Sequence, residues 1–168
     1  MSRAAIEAVR SEEPGWPEGE HVITWWKARK HWKKDLRKAW MEYSLVPRKV
    51  RVVVYHGPSG SGKSHLLHLK EDGTSREDVF IKHSDTQWKR YEGERILAFD
   101  DFKHMRISLG MLDTYIAGKI PRSARRGAWD EVCICCKLHP REWWSGKYKN
   151  DPNYMARFDE VVELLPRN

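Results

Sequence analysis

Gly57-Pro-Ser-Gly-Ser-Gly-Lys-Ser64 follows directly on the apolar run Val50-Arg-Val-Val-Val-Tyr55, and its residue types suit the holding of a polyphosphate. Gly57, Gly60 and Gly62 let backbone N–H groups turn inward around a phosphate with no Cβ in the way, and Pro58, Ser59 and Ser61 complete the turn. A helix starting near Lys63 aims its positive dipole end at the same anion. Lys63 is placed to reach the β- and γ-phosphates and the Ser64 hydroxyl to ligate Mg²⁺, so ATP and Mg²⁺ are the expected cofactors. A chance match at the four fixed positions is expected in well under ~1% of chains of this length.

Such a loop needs an acidic partner on a neighbouring strand. Ile96-Leu-Ala-Phe99 followed by Asp100-Asp101 supplies it, with two carboxylates at the C-terminal end of an apolar strand, where α/β sheets place ligands. Asp100 is the candidate for the Mg²⁺ shell and Asp101 for polarising the attacking water. The plainer alternative is an exposed pair capping a turn.

The elements that position these groups are legible in the periodicity. Short β-branched runs at 50–55, 79–82, 95–99, 131–136 and 160–165 predict strands, with helical stretches at 66–70 and 107–117 between them. Strands separated by helices predict an α/β fold with a mostly parallel five-stranded sheet. Ahead of it, residues 1–10 predict a short helix and 11–20 a Pro/Gly/Glu linker. Trp25, Ala28, Trp32, Leu36, Ala39 and Tyr43 then recur at helical spacing until Pro47. This aromatic stripe is a packing surface against the body or a neighbouring subunit, or else a base-stacking face. The organisation is a basic, Trp-rich helical segment for oligomerisation or linkage (1–48), then an ATPase domain (49–168).

The 168 residues carry a formal net charge of +7, unevenly placed. Residues 21–51 hold ten Lys and Arg against two acids, a net +8 that leaves −1 for the rest. That asymmetry fits a polyanion partner near the first segment, or a solvated helix face. No run of 18 apolar residues exists and the start lacks an apolar signal region, so neither a membrane partner nor secretion is expected. Cys133, Cys135 and Cys136 fit neither a disulfide framework nor a zinc knuckle; they read as small buried residues in a reducing, intracellular compartment.

From residue 49 onward the chain resembles the superfamily 3 helicase domain of replication-initiator (Rep) proteins of small circular single-stranded DNA viruses, an AAA+-like P-loop NTPase. The resemblance rests on the 57–64 loop, on Trp88-Lys-Arg-Tyr-Glu-Gly-Glu94 leading into Asp100-Asp101-Phe102, and on Pro140-Arg-Glu-Trp-Trp144. It implies an ATP-driven, normally hexameric ring translocating on single-stranded DNA in the host nucleus during rolling-circle replication. Lys119, Arg122, Arg125 and Arg126 fall where the family has a basic DNA-contacting hairpin, with Arg126-Gly127 matching its Lys-Gly pair; a solvated loop is the alternative. Arg157, in Ala156-Arg-Phe158, falls where the family places an arginine that reaches a neighbouring subunit's ATP site. A plain surface arginine reads equally well.

The chain departs from the family in three ways, one of them a segment several residues shorter than usual between the 107–117 helix and the strand at 131–136. It has none of the paired histidines or Tyr-x-x-Lys of a rolling-circle nickase, so no nicking activity is expected of it. And the strand that in relatives ends in a γ-phosphate-sensing Asn here runs into Lys137, which donates hydrogen bonds but cannot accept one. The resulting function is a Rep-type DNA helicase and ATPase. The alternatives are an ATP-binding oligomerisation module with little hydrolysis and a superfamily 3 RNA-virus helicase; a small-molecule P-loop kinase is disfavoured, for lack of a lid. His65 and His68, three residues apart, form half of a metal site at most.

Overall fold

Five short runs rich in Val, Ile, Phe and Cys pair into one sheet, because branched and aromatic side chains fit a pleated surface covered on both faces. In the computed structural model of the chain, which describes residues 2–15, 22–70, 73–83 and 88–166, they form β1 (Arg51–His56), β2 (Val79–Ile81), β3 (Ile96–Phe99), β4 (Glu131–Cys136) and β5 (Glu160–Glu163). Their order is β2-β3-β4-β1-β5 and every neighbouring pair is parallel. This is the expected α/β architecture of a P-loop NTPase. Its decisive feature is the central place of β4, in register with β1 through His56↔Cys136 and with β3 through Phe99↔Ile134. The C-terminal ends of β1, β4 and β3 therefore lie side by side.

The helices are α1 (Arg3–Ser11), α2 (Val22–Ser44), α3 (Lys63–His68), α4 (Leu109–Ile116) and α5 (Pro152–Met155). The linker expected over 11–20 lies outside the described residues from 16 onward. The alternation of strand and helix breaks between β2 and β3, where only the single 3₁₀ turn Trp88–Arg90 intervenes among the described residues. Helix α3 is shorter than the sequence pattern suggests. It stops at His68, and Leu69 turns extended to pair with Ser75 rather than continuing the helix to 70.

Helix α2 uses its tryptophans to pack on its own chain. Trp25, Trp32, Leu36 and Ala39 are buried as the spacing predicts, Trp40 joins them, and Ala28 on the flank of that arc is exposed. The Trp32 indole donates to the Val9 carbonyl at 2.7 Å, tying α2 to α1. The surface beneath is the 88–94 tract. Arg3 and Arg10 donate to the carbonyls of Gly93 and Glu92, Lys33 pairs with Glu92, and the Trp40 and Tyr91 rings meet edge to face at 5.4 Å. Gly93 has φ +85°, and a Cβ there would stand 2.8 Å from the Trp40 Cβ, so only glycine lets α2 come this close. Tyr91 locks the tract internally: its hydroxyl donates to the Glu94 carbonyl at 3.1 Å and accepts the Ala128 N–H at 2.8 Å. Within the described residues no helix is long and apolar enough to cross a membrane.

Candidate nucleotide and nucleic-acid site

The phosphate loop begins where β1 ends, and its backbone demands glycine. A Cβ at Gly57 would fall 2.2 Å from the Leu164 carbonyl oxygen, because the chain after β5 runs against it; Gly60 and Gly62 have φ of +82° and +88°. The Lys63 ammonium folds over this turn and donates to the carbonyls of Gly57 (2.8 Å) and Pro58 (2.6 Å) and to the Ser61 hydroxyl (3.0 Å). Ser64 donates to Asp100 at 2.8 Å, across from α3 to the end of β3, and the His68 ring lies 3.8 Å from the same carboxylate.

Asp101 turns away from Asp100 through a left-handed backbone, φ +50°, and pairs with Lys103 at 3.2 Å. The turn is held from behind. The Phe102 N–H donates to the Cys135 carbonyl at 2.8 Å, and its ring packs 4.7 Å from Trp143 of the Pro140-Arg-Glu-Trp-Trp144 motif. That motif is therefore a core clamp: Trp143 is fully buried and the Tyr154 hydroxyl donates to the Pro140 carbonyl.

Ser59, Gly60, Gly62, Lys63, Ser64, His65, Asp100, Asp101, Cys136 and Lys137 line one cleft of about 480 Å³ at the C-terminal edge of β1, β4 and β3. Of the candidates named from the sequence, Lys63, Ser64, Asp100, Asp101 and Lys137 meet there. Lys137 is exposed, one residue past β4. The neighbouring Cys136 thiol is pushed up to about 12 by burial, which leaves it neutral in the cleft floor rather than a nucleophile. All three cysteines are buried and free.

These residues fit a magnesium nucleotide. Two oxygens adjacent in an octahedral Mg²⁺ shell of about 2.0–2.1 Å stand about 2.9 Å apart, and the Ser64 hydroxyl and Asp100 carboxylate already approach to 2.8 Å. A larger hollow of about 880 Å³ beneath α3 has an Arg76–Asp78 ion pair and apolar sheet residues in its wall, but no glycine cradle. His65 and His68 gain no third ligand: among the described residues no cluster could hold a metal through His, Cys, Asp and Glu alone.

The remaining candidates lie outside the cleft. Lys119, Arg122, Arg125 and Arg126 are all exposed on a tight hairpin, closed by the Lys119↔Arg126 bridge and the Gly127 N–H to the Gly118 carbonyl at 2.9 Å, with Arg122 left-handed at its tip (φ +57°). None of the four makes an ion pair among the described residues. The hairpin's base is anchored by Arg48, which donates to the Gly127 and Trp129 carbonyls, and by Gly127, whose Cβ would clash with the Trp129 ring at 1.7 Å. Arg157 instead binds Asp113 of α4 within its own chain, Nε to Oδ1 at 2.7 Å, a bond that raises the guanidinium pKa further. Sequence reasoning missed two features: the part played by Asp113, and Lys103 as the partner of Asp101. Both are contacts between residues whose spacing carries no signal.

Residues 53–118, from within β1 to the residues just past α4, match the family model described as RNA helicase. No curated protein matches the chain. The matched stretch contains the 57–64 loop, the 88–94 tract and the Asp100-Asp101 pair, and it supports a helicase-type nucleoside triphosphatase with a nucleotide and a nucleic acid as its ligands.

Proposed function

We propose that the chain is an ATP-hydrolysing motor of the Rep superfamily 3 type, acting on single-stranded DNA as a homo-oligomeric, hexameric ring during rolling-circle replication in the host nucleus. The observation that carries this reading is the convergence of Lys63, Ser64, Asp100, Asp101 and Lys137 from three separate segments on one cleft. In it, Lys63 leaves the loop carbonyls to face the β- and γ-phosphates, and Ser64 with Asp100 holds Mg²⁺. Mg²⁺ held by these two residues would neutralise phosphate charge. Asp101, paired with Lys103, orients the attacking water and takes its proton. Arg157 is delivered to a neighbouring copy's cleft on exchange of its Asp113 partner, and the basic hairpin holds the strand through its phosphates.

The choice of DNA rests on the resemblance of the 88–94 tract and of the closing Pro140-Arg-Glu-Trp-Trp144 motif to Rep proteins. A second reading, an RNA helicase, is favoured by the family match. Steady-state phosphate release with single-stranded DNA, single-stranded RNA or neither, together with strand displacement on forked duplexes, decides between them. Stimulation by DNA and unwinding of a DNA fork are expected. Stimulation by RNA alone selects the second reading, and hydrolysis indifferent to both removes the motor. Replacing Arg122, Arg125 and Arg126 together is expected to flatten the slope of log K against log salt by about one to three; an unchanged slope sinks the hairpin assignment.

A further inference from the structure

The apolar arc of α2 is consumed by α1 and the body, and the opposite arc has an unusual composition. Trp26, Lys30, Lys34 and Lys38 follow one another at four-residue steps, with Lys27 and Arg37 beside them, and all are exposed. Trp26 is 57% exposed even though Trp25, its neighbour in sequence, is buried. Among the described residues Lys27, Lys30, Lys34, Arg37 and Lys38 make no ion pair, whereas Arg29 and Lys33 are engaged by Glu13 and Glu92. The helix's two acids, Asp35 and Glu42, fall at the edge of this arc by helical spacing. Trp26, Lys30, Lys34 and Arg37 line one shallow groove along it.

We infer that this outer face of α2 is a second binding site for single-stranded nucleic acid, separate from the basic hairpin, with Trp26 stacking on a base and Lys30, Lys34 and Arg37 taking phosphates. Helix rise spaces positions four apart by about 6 Å, so the three cations line up along a run of roughly 10 Å, a reach of a few phosphates. A lone exposed aromatic at the end of a cation row is the composition of a backbone-tracking groove with a stacking platform. An anionic membrane is a poorer occupant, because a helix lying on lipid must bury an apolar face and this helix has already spent its own on the protein. A second copy of the same face is excluded by like charge. The inference rests on nucleic acid as the partner but not on hydrolysis.

The test is fluorescence anisotropy of a labelled oligothymidylate over a range of salt, with K30E/K34E/R37E and Trp26→Ala alongside wild type. The triple variant is expected to lose at least about tenfold in affinity at low salt and to flatten the salt slope by about two, at roughly 0.7 per phosphate contact. Trp26→Ala is expected to lose about tenfold with the slope unchanged. Both keep basal ATP hydrolysis, which shows that they fold. Wild-type affinity in both variants overturns the inference; if the hairpin variant loses affinity in the same assay, the proposed function stands without it. If neither the hairpin nor the α2 variants change binding, both fall. Sedimentation with phosphatidylcholine–phosphatidylserine vesicles in place of oligonucleotide binding overturns it in favour of a membrane. Loss of the oligomer in step with affinity, seen by mass photometry, overturns it in favour of a subunit contact.

Discussion

The Ser64 hydroxyl and the Asp100 carboxylate, thirty-six positions apart in the chain, are joined by a 2.8 Å hydrogen bond at the mouth of the cleft. The contact exists because β4 sits between the strands that carry them, and α3 leans across that gap. It presets two hard oxygens at the spacing a small divalent cation needs, with Asp101 one residue further and turned aside.

That division of labour separates the two carboxylates by experiment. Asp100→Asn keeps an acceptor for Ser64 but removes the charge, so the affinity for an ATP analogue in the presence of Mg²⁺ should fall at least about tenfold. Asp101→Asn should bind within about twofold of wild type and lose roughly a hundredfold in turnover, the scale of a missing general base. Fluorescent-analogue titration at several Mg²⁺ concentrations and phosphate release measure the two. Unchanged turnover in Asp101→Asn removes that residue from the water's path.

Lys63→Ala should abolish detectable nucleotide binding while leaving the fold intact. The ammonium contacts only loop oxygens that water reaches once it is gone, and no core side chain depends on it. Equal affinity of mutant and wild type for a fluorescent ATP analogue would falsify the assignment of the loop as a nucleotide site.

Lys137 lines the cleft, and by the resemblance to Rep proteins it falls where that family carries an acceptor-bearing Asn. A second ammonium beside Lys63 favours the bound triphosphate more than the transition state, and only stabilisation that grows toward the transition state raises the rate. Lys137→Asn is expected to weaken ATP binding modestly and raise turnover about tenfold, equivalent to ~1.4 kcal/mol of barrier. A variant that hydrolyses no faster than wild type places Lys137 outside the chemistry.

Tyr91→Phe tests the clamp beneath α2. Its loss strands the buried Ala128 N–H without an acceptor, at a cost of about 1–3 kcal/mol. Urea unfolding reads the difference directly; a midpoint equal to wild type means that water replaces the hydroxyl.

Glu94, in the same tract, gives the stability a defined pH dependence. Burial raises its carboxyl above the ordinary glutamate range, against the pull of backbone N–H donors. The folded state then holds a proton that the unfolded state has released, so this contribution to stability falls as pH rises above about 4.3 toward the raised value. Glu94→Gln should remove that slope and gain relative to wild type toward neutral pH, measured as urea midpoints across the acid range. A wild-type slope in the variant assigns the dependence to other groups.

What the sequence determined by itself is whatever short-range forces decide. Glycines at 57, 60 and 62 after a β-branched run dictate the phosphate loop, because the turn takes φ of +140°, +82° and +88° there, a backbone that side chains rarely adopt. Short β-branched runs placed all five strands within two residues at either end, and a period-3.6 pattern placed α2 with its buried face. The tertiary structure alone decided the rest. Which further tryptophan faces inward depends on what α2 lies against, so Trp40 is buried for reasons found at Gly93 and Tyr91, not in α2 itself. The α3 helix ends early because Leu69 finds a strand partner in Ser75. Asp113 holds Arg157, forty-four positions away, through proximity that chain spacing does not encode. Backbone sterics act over a few residues and are written locally; the choice of partner is made by packing between segments far apart in the chain, and only the folded molecule contains it.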